Sequence, residues 1–139
     1  MKTKIVSQLE QVFLYQWVFA GLGIFAIDQA TKYLASSSGN KVFLNSGISF
    51  GAGDTVSPEI VLALTVFVAI GIFIVGKDLW RKNPLVSGIF WGAVLSNIFD
   101  RIFFGGVRDW LPIPILSVHN NLADIAIISS LSILLFRKS

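Results

Sequence analysis

Asp109 and Asp124 bracket the last long gap between apolar stretches in a chain of 139 residues. Asp124 stands at the start of an apolar run, in Asn121-Leu122-Ala123-Asp124, and Asp109 follows a Gly-Gly turn, in Val107-Arg108-Asp109-Trp110. A carboxylate is penalised where it borders hydrocarbon, so two facing one boundary call for a chemical reason. Two carboxyls within hydrogen-bonding reach cannot both ionise: one pKa falls, the other rises, and the pair holds one proton at neutral pH. The charged member can then take a proton from water while the neutral member donates to a carbonyl oxygen, which is the chemistry of peptide-bond hydrolysis. Such a pair titrates as a unit, so neither member is assigned the proton in advance.

Other polar residues gather at the same depth. Asn97, Asp100 and Arg101 are spaced i, i+3, i+4, which places them on one side of a helix near its end. Asn121 and Asp124 share a face three residues apart, and Asp28 and Lys32 form an i, i+4 pair. Polar groups are penalised against lipid, so these three faces are expected to turn inward and meet. Each piece has a plainer reading. Asp28–Lys32 alone is an interfacial ion pair, Asp100–Arg101 a helix-terminal charge cluster, Asp124 a first-turn acid favoured by the helix dipole, and Asn121 its N-cap. Their joint placement favours a site.

The elements that would position these groups are membrane helices. The chain is 54% hydrophobic and 14% charged, against about 25% charged in soluble domains. Four stretches are long enough to span, at 11–34, 59–76, 84–104 and 122–136, within a single unit over 1–139. The first apolar run ends in Ile27-Asp28-Gln29, with no small-x-small cleavage site, and reads as a retained helix. Seven of the eleven basic residues (Lys2, Lys4, Lys77, Arg81, Lys82, Arg137, Lys138) flank one side. By the positive-inside rule both termini are then cytoplasmic and the aspartates extracytoplasmic. The +3 net charge is thus a topology signal, with no support for a nucleic-acid partner. Two outer loops, 35–58 and 105–121, exceed simple turns, and long ordered loops usually carry function. The first includes Lys41-Val42-Phe43-Leu44, a candidate short strand, and the second is broken by Gly105, Gly106, Pro112 and Pro114. No cysteine is present, which removes disulfides and thiolate chemistry. The expected fold class is an all-α integral membrane protein of four transmembrane helices, with short β-strands in the outer loops.

Four blocks, in order, resemble the lipoprotein signal peptidase (signal peptidase II) family of bacterial membrane aspartyl proteases. Asp28-Gln29-Ala30-Thr31-Lys32 resembles D-x-x-T-K, and Asn45-Ser46-Gly47-Ile48-Ser49-Phe50-Gly51 resembles N-x-G-x-x-F. Asn97-Ile98-Phe99-Asp100-Arg101, followed by Gly106-Val107-Arg108-Asp109-Trp110, resembles N-x-x-D-R…G-x-V-x-D-[FW], and Asn121-Leu122-Ala123-Asp124 resembles N-x-A-D. The resemblance implies that Asp109 and Asp124 are the catalytic pair. It implies that Asp28, Lys32, Asn45, Gly47, Asn97, Asp100, Arg101 and Asn121 shape the site or contact substrate. Arg101 would be a structural cation holding Asp100 or loop carbonyls. The implied substrate is a diacylglyceryl-modified prolipoprotein cut on the amino side of the lipidated cysteine, at the outer face of the bacterial inner membrane, by a monomer that needs no cofactor or metal. Three positions depart from the family pattern: Ala93 and Ser96 stand where it has glycines, and Asn120 where it usually has Phe. The loop between the two aspartates also looks short.

The outer loop around Phe43, Leu44, Ile48 and Phe50 is placed to cover the site. Trp110, Leu111, Ile113 and Ile115 are placed to dip into the interface, where tryptophan is favoured. Three rival readings use the same residues. Asp109, His119 and Asp124 could ligate a metal, although the zinc-protease pattern H-E-x-x-H is absent. A Ser117–His119–Asp triad lacks a nucleophile elbow. A membrane protein that binds lipopeptides without cutting them would keep the fold and lose the chemistry.

Overall fold

The structure, a computed structural model, describes residues 2–47, 56–116 and 118–136. Ile48, Phe50, Gly51, Asp54, Ser117, Arg137 and Lys138 lie outside the described residues, as do the side chains of Lys2 and Lys4. Among the described residues, five helices and four short strands follow in the order α1 (Lys2–Ser37), β1 (Phe43–Asn45), α2 (Pro58–Val75), α3 (Lys77–Lys82), α4 (Pro84–Phe104), β2 (Val107–Asp109), β3 (Leu111–Ile113), β4 (Val118–Asn120) and α5 (Leu122–Phe136). A single 3₁₀ turn, Pro114–Leu116, joins β3 to β4.

Local chemistry sets the helix boundaries. Pro58 and Pro84 open α2 and α4 at the first turn, where the missing N–H costs nothing. Gly105 ends α4 in the left-handed region at φ 74°, a conformation a side chain would resist. Asn121 begins α5: its side-chain oxygen accepts from the Asp124 backbone N–H at 2.9 Å, the geometry of an N-cap.

Burial is inverted relative to a water-soluble protein. Phe67, Val75 and Phe136 are largely exposed, while Asp28, Lys32, Ser87, Ser96, Asp100, Asp109, Asn121 and Ser130 are buried. Such a surface suits hydrocarbon as solvent. Among the described residues, three helices are long and apolar enough to cross a membrane: α1 over Glu10–Ser37, α2 and α4. The fourth stretch, α5, is apolar but has 15 residues. At 1.5 Å per residue it is about 22 Å long, short of a hydrocarbon core of about 30 Å. The first apolar stretch is also longer than its sequence bounds.

The core follows the contact of α4 with α1 and α5. Toward the start of α4, a Cβ on Gly92 would overlap the Gly21 carbonyl, and one on Gly88 the Trp17 carbonyl, so glycine lets the two backbones touch. Trp80, Phe90, Trp91 and Leu134 form a hydrophobic cluster nearby, with Trp80 stacked on Phe90 at 5.2 Å and donating its indole N–H to the Phe73 carbonyl. The irregular second loop is more ordered than its prolines and glycines indicate. β2 pairs antiparallel with β1 (Phe43↔Asp109, Leu44↔Arg108, Asn45↔Val107), and β3 pairs with β4 (Leu111↔Asn120, Pro112↔His119, Ile113↔Val118). The Trp110 N–H donates to the Asn120 carbonyl at 3.0 Å and ties the two ribbons together. The 3₁₀ turn carries Ile115, 95% exposed, and Leu116 at the tip, whereas Trp110, Leu111 and Ile113 are half-buried.

Candidate functional site

Asp109 closes β2 and Asp124 sits in the first turn of α5, yet both line one cavity of about 350 Å³. Its other polar walls are Asn45, Thr65, Asn97, Arg101 and Asn120, and its apolar walls are Val94, Val107, Ile127 and Ile128. The strand brings Asp109 there because Val107 and Asp109, two residues apart, share a face.

Amide groups hold the two carboxylates. Asp109 accepts from Asn121 Nδ2 at 2.7 Å on one oxygen and from Asn45 Nδ2 at 3.2 Å on the other. Asp124 accepts from Asn97 Nδ2 at 2.8 Å. Asn121 joins the aspartates, since its oxygen caps α5 at Asp124 while its amide nitrogen serves Asp109. Burial pushes the Asp109 carboxyl up to about 6; the bonds from Asn121 and Asn45 pull it down, the charge of Asp124 raises it, and Lys32 lowers it. The charge of Asp124 thus acts on the Asp109 carboxyl, after burial and the two amide bonds.

Behind the cavity wall lies a second, fully buried layer. Lys32 Nζ meets Asp28 Oδ2 at 2.6 Å, Asp100 Oδ2 at 3.1 Å and Asn97 Oδ1 at 3.0 Å, with Lys32, Asp28 and Asp100 wholly screened from solvent. Because Asn97 turns its oxygen to this ammonium, its amide nitrogen must face Asp124. Asp28 accepts from the Ala123 backbone N–H at 2.9 Å, so its charge meets the positive end of α5. It also accepts from Ser96 Oγ at 2.7 Å.

Of the residues marked in the sequence, Asn45, Asn97, Arg101, Asp109 and Asp124 line the cavity. Asp28, Lys32, Asp100 and Asn121 are buried and act by holding others. Gly47 takes part through its carbonyl, which accepts from Arg101 Nη2 at 3.1 Å. Asp100 requires a correction. The i, i+3, i+4 spacing grouped it with Asn97 and Arg101, but it turns away from the cavity and pairs with Lys32 and Arg108. Adjacent residues on a helix point about 100° apart, so Asp100 and Arg101 stand on opposite edges of that side, with Asp100 turned toward α1 and Arg101 toward the cavity. Of the two partners expected for Arg101, it takes the loop carbonyl. Its buried Nε has no hydrogen-bond partner among the described residues, and Asp109 and Asp124 are its foremost charged neighbours.

Sequence reasoning passed over Gln29, Ser96, Arg108 and Asn120. Gln29 Nε2 donates to Ser96 Oγ at 2.9 Å and to Asp100 Oδ1 at 2.8 Å, and its Oε1 accepts from Arg108. Gln29 lies three residues before Lys32, a helical neighbour, and that spacing was the available signal. Ser96, met as a departure from a glycine pattern, adds a donor to Asp28. His119 packs its ring 4.1 Å from Phe43 and is not part of the cavity wall. Among the described residues no three His, Cys, Asp or Glu side chains come together as a metal-holding group.

Residues 20–138 match the family described as Signal peptidase (SPase) II. The chain is similar to the lipoprotein signal peptidase of Solibacter usitatus, with 29% identity over 136 residues, covering 81% of this chain and 83% of that protein. It is similar also to the lipoprotein signal peptidase of Moorella thermoacetica, at 32% over 137 residues, with 85% and 89% covered. The fold resembles that of a solved bacterial membrane enzyme at a TM-score of 0.66 and 18% identity, covering 87% of this chain and 85% of that one.

Proposed function

The chain belongs to the signal peptidase II family, and we propose that it removes the signal peptide from prolipoproteins by aspartic-type hydrolysis, with Asp109 and Asp124 as the catalytic pair. The observation that carries this reading is one cavity lined by both aspartates, with Asn121 donating to the Asp109 carboxyl and accepting from the Asp124 backbone N–H. A buried Asp109 raised to about 6 is suited to share one proton with its neighbour near neutral pH.

Water held between the carboxyls gives a proton to the charged aspartate as its oxygen attacks the scissile carbonyl carbon. The neutral aspartate donates its proton to the carbonyl oxygen, so the tetrahedral intermediate forms without net charge. Collapse breaks the C–N bond: the newly protonated aspartate gives its proton to the leaving nitrogen while the other takes one from a hydroxyl of the intermediate, so the pair again holds one proton. No metal or other cofactor enters these steps. Asn97 and Asn45 hold the carboxyls in place. Arg101 secures the Gly47 loop and adds positive potential.

The substrate is a prolipoprotein whose cysteine carries diacylglycerol, cut on the amino side of that cysteine. A cavity at the ends of apolar helices suits a peptide bond held at bilayer depth by its own lipid. The chain acts as a monomer with four spans in the bacterial inner membrane, α5 completing its crossing with interfacial residues. Both termini are cytoplasmic, and the aspartates lie near the extracytoplasmic face. Asn45, in the outer-loop strand β1, closes one side of the site, and the Ile115–Leu116 tip enters the headgroup region.

The test is cleavage of a diacylated prolipoprotein in detergent by wild type, Asp109→Asn and Asp124→Asn, with and without chelator. Chelator-resistant cleavage abolished in both variants supports the pair. A wild type that binds the lipopeptide and leaves it intact overturns the assignment in favour of a binding protein, and cleavage lost to chelator overturns the metal-free mechanism.

A further inference from the structure

Arg108 occupies a position that the pattern G-x-V-x-D leaves open, immediately before Asp109. Side chains alternate along β2, so Val107 and Asp109 line the cavity while Arg108 turns to the other side, between α1 and α4. There the Asp100 carboxylate takes hold of the strand. Its Oδ2 accepts from the Arg108 backbone N–H at 3.0 Å and from Nε at 3.3 Å, and its Oδ1 accepts from Nη2 at 2.8 Å. Nη2 also donates to Gln29 Oε1 at 2.6 Å, and the guanidinium lies 4.0 Å from the centre of the Phe104 ring. A planar fork that bonds a carboxylate and stacks on an aromatic is a role lysine cannot fill.

The charges around it balance. Asp28 and Asp100 are fully buried, and Lys32 and Arg108 are the cations paired with them. Because Arg108 shares Asp100, the Lys32 ammonium keeps a bond for Asn97, which in turn holds Asp124. Without Arg108, two buried carboxylates would compete for one ammonium.

We infer that Arg108 is a positioning residue for the aspartate pair: its clasp on Asp100 and Gln29 sets the place of β2, hence of Asp109, and frees Lys32 to hold Asn97 against Asp124. This deepens the peptidase reading and rests on it. The role is indirect, since Arg108 itself does not line the cavity.

The experiment uses the full chain in detergent with a diacylated prolipoprotein, comparing wild type, Arg108→Met and Arg108→Lys. Cleavage kinetics are followed across pH, and amide hydrogen exchange is followed at residues 107–109. Arg108→Met is expected to lower kcat about 100-fold, the effect of misplacing a reacting group by about 1 Å, with KM unchanged. The charged groups acting on Asp109 are Asp124 on α5, Lys32 on α1 and Arg101 on α4. A loosened strand admits water to Asp109, lowers its carboxyl toward the ordinary value, and moves the upper limb of the kcat profile to lower pH. Exchange at 107–109 quickens. Arg108→Lys keeps the charge, loses the fork, and recovers part of kcat.

An unchanged kcat in Arg108→Met, or a rise in KM alone, overturns the proposal. Equal losses in both variants with an unmoved pH limb also overturn it, because that marks a merely structural role. Unchanged exchange at β2 overturns the clasp whatever the activity does. A wild type that does not cleave, combined with quickened exchange in Arg108→Met, sinks the peptidase reading and leaves the clasp standing as a structural one.

Discussion

The contact between α1 and α4 has two halves built by opposite chemistry. Near the start of α4, Gly21, Gly88 and Gly92 let backbone meet backbone beside the Trp80, Phe90 and Trp91 cluster. Nearer its end, Asp28, Gln29 and Lys32 of α1 meet Ser96, Asn97 and Asp100 of α4 through ion pairs and hydrogen bonds. In lipid, apolar side chains gain little from leaving the solvent, so the first half must rely on close fit. The second half relies on bonds that hydrocarbon cannot supply. One half fastens the helices, and the other uses the same fastening to aim side chains at Asp109 and Asp124.

The contrast predicts where substitution hurts most. Lys32→Met leaves two buried carboxylates with Arg108 as their cation and releases Asn97 from its orientation. We expect a loss of about 3–5 kcal/mol in stability, read from chemical unfolding in detergent, together with a fall in peptidase turnover. A stable, fully active Lys32→Met protein would remove the distinction between the halves. Gly92→Val drives a side chain into the Gly21 backbone and is expected to cost about 1–3 kcal/mol. Any activity lost should track the fraction unfolded, because the aspartates are untouched. Ser96→Ala removes the Oγ bond to Asp28 and a partner of Gln29, costing about 1.5–3 kcal/mol for a hydrogen bond to a charged group. An equally stable Ser96→Gly protein would show the hydroxyl to be incidental.

Proton linkage belongs to the polar half alone. Burial raises the Asp109 carboxyl to about 6 from an ordinary 3.8, so the folded chain binds this proton more tightly than the unfolded one. Its contribution to stability is complete below the ordinary value and is lost as pH rises through about 6. Melting temperatures taken across that window should fall less steeply for Asp109→Asn than for wild type, and parallel curves would contradict the assignment. Trp80→Phe, in the apolar half, deletes the indole bond to Phe73 and is expected to cost about 1 kcal/mol without pH dependence.

Much of the site was legible in advance because its residues are chemically expensive where they stand. A charged or amide group beside long apolar runs needs a partner, so Asp28, Lys32, Asn97, Arg101, Asp109, Asn121 and Asp124 stood out as types out of place. Their grouping was less legible. Helical spacing put Asp100 with Asn97 and Arg101, and the fold turned it toward Lys32 and Arg108. Gln29 and Ser96 were given no place in the site, since an amide or a hydroxyl raises no alarm until its neighbours are known. The loop strands were partly visible: Phe43 and Leu44 fell in a candidate strand, whereas β2, β3 and β4 are three residues each and lie among glycines and prolines that read as irregular.

The sequence by itself determined the solvent. Its long apolar runs and its basic asymmetry specify helices made for lipid, and the Pro, Gly and Asn punctuation marks where several of those helices begin and end. These are local effects, settled by each residue's own conformational and transfer preferences. The tertiary structure alone decided which polar groups face the cavity and which stand behind it. A hydrogen bond between α1 and α4, or a three-residue strand that carries Asp109 to Asp124, depends on how helices rotate about their axes and how strands find register. Those degrees of freedom are fixed only when the whole set of buried charges, amides and glycine contacts is satisfied together.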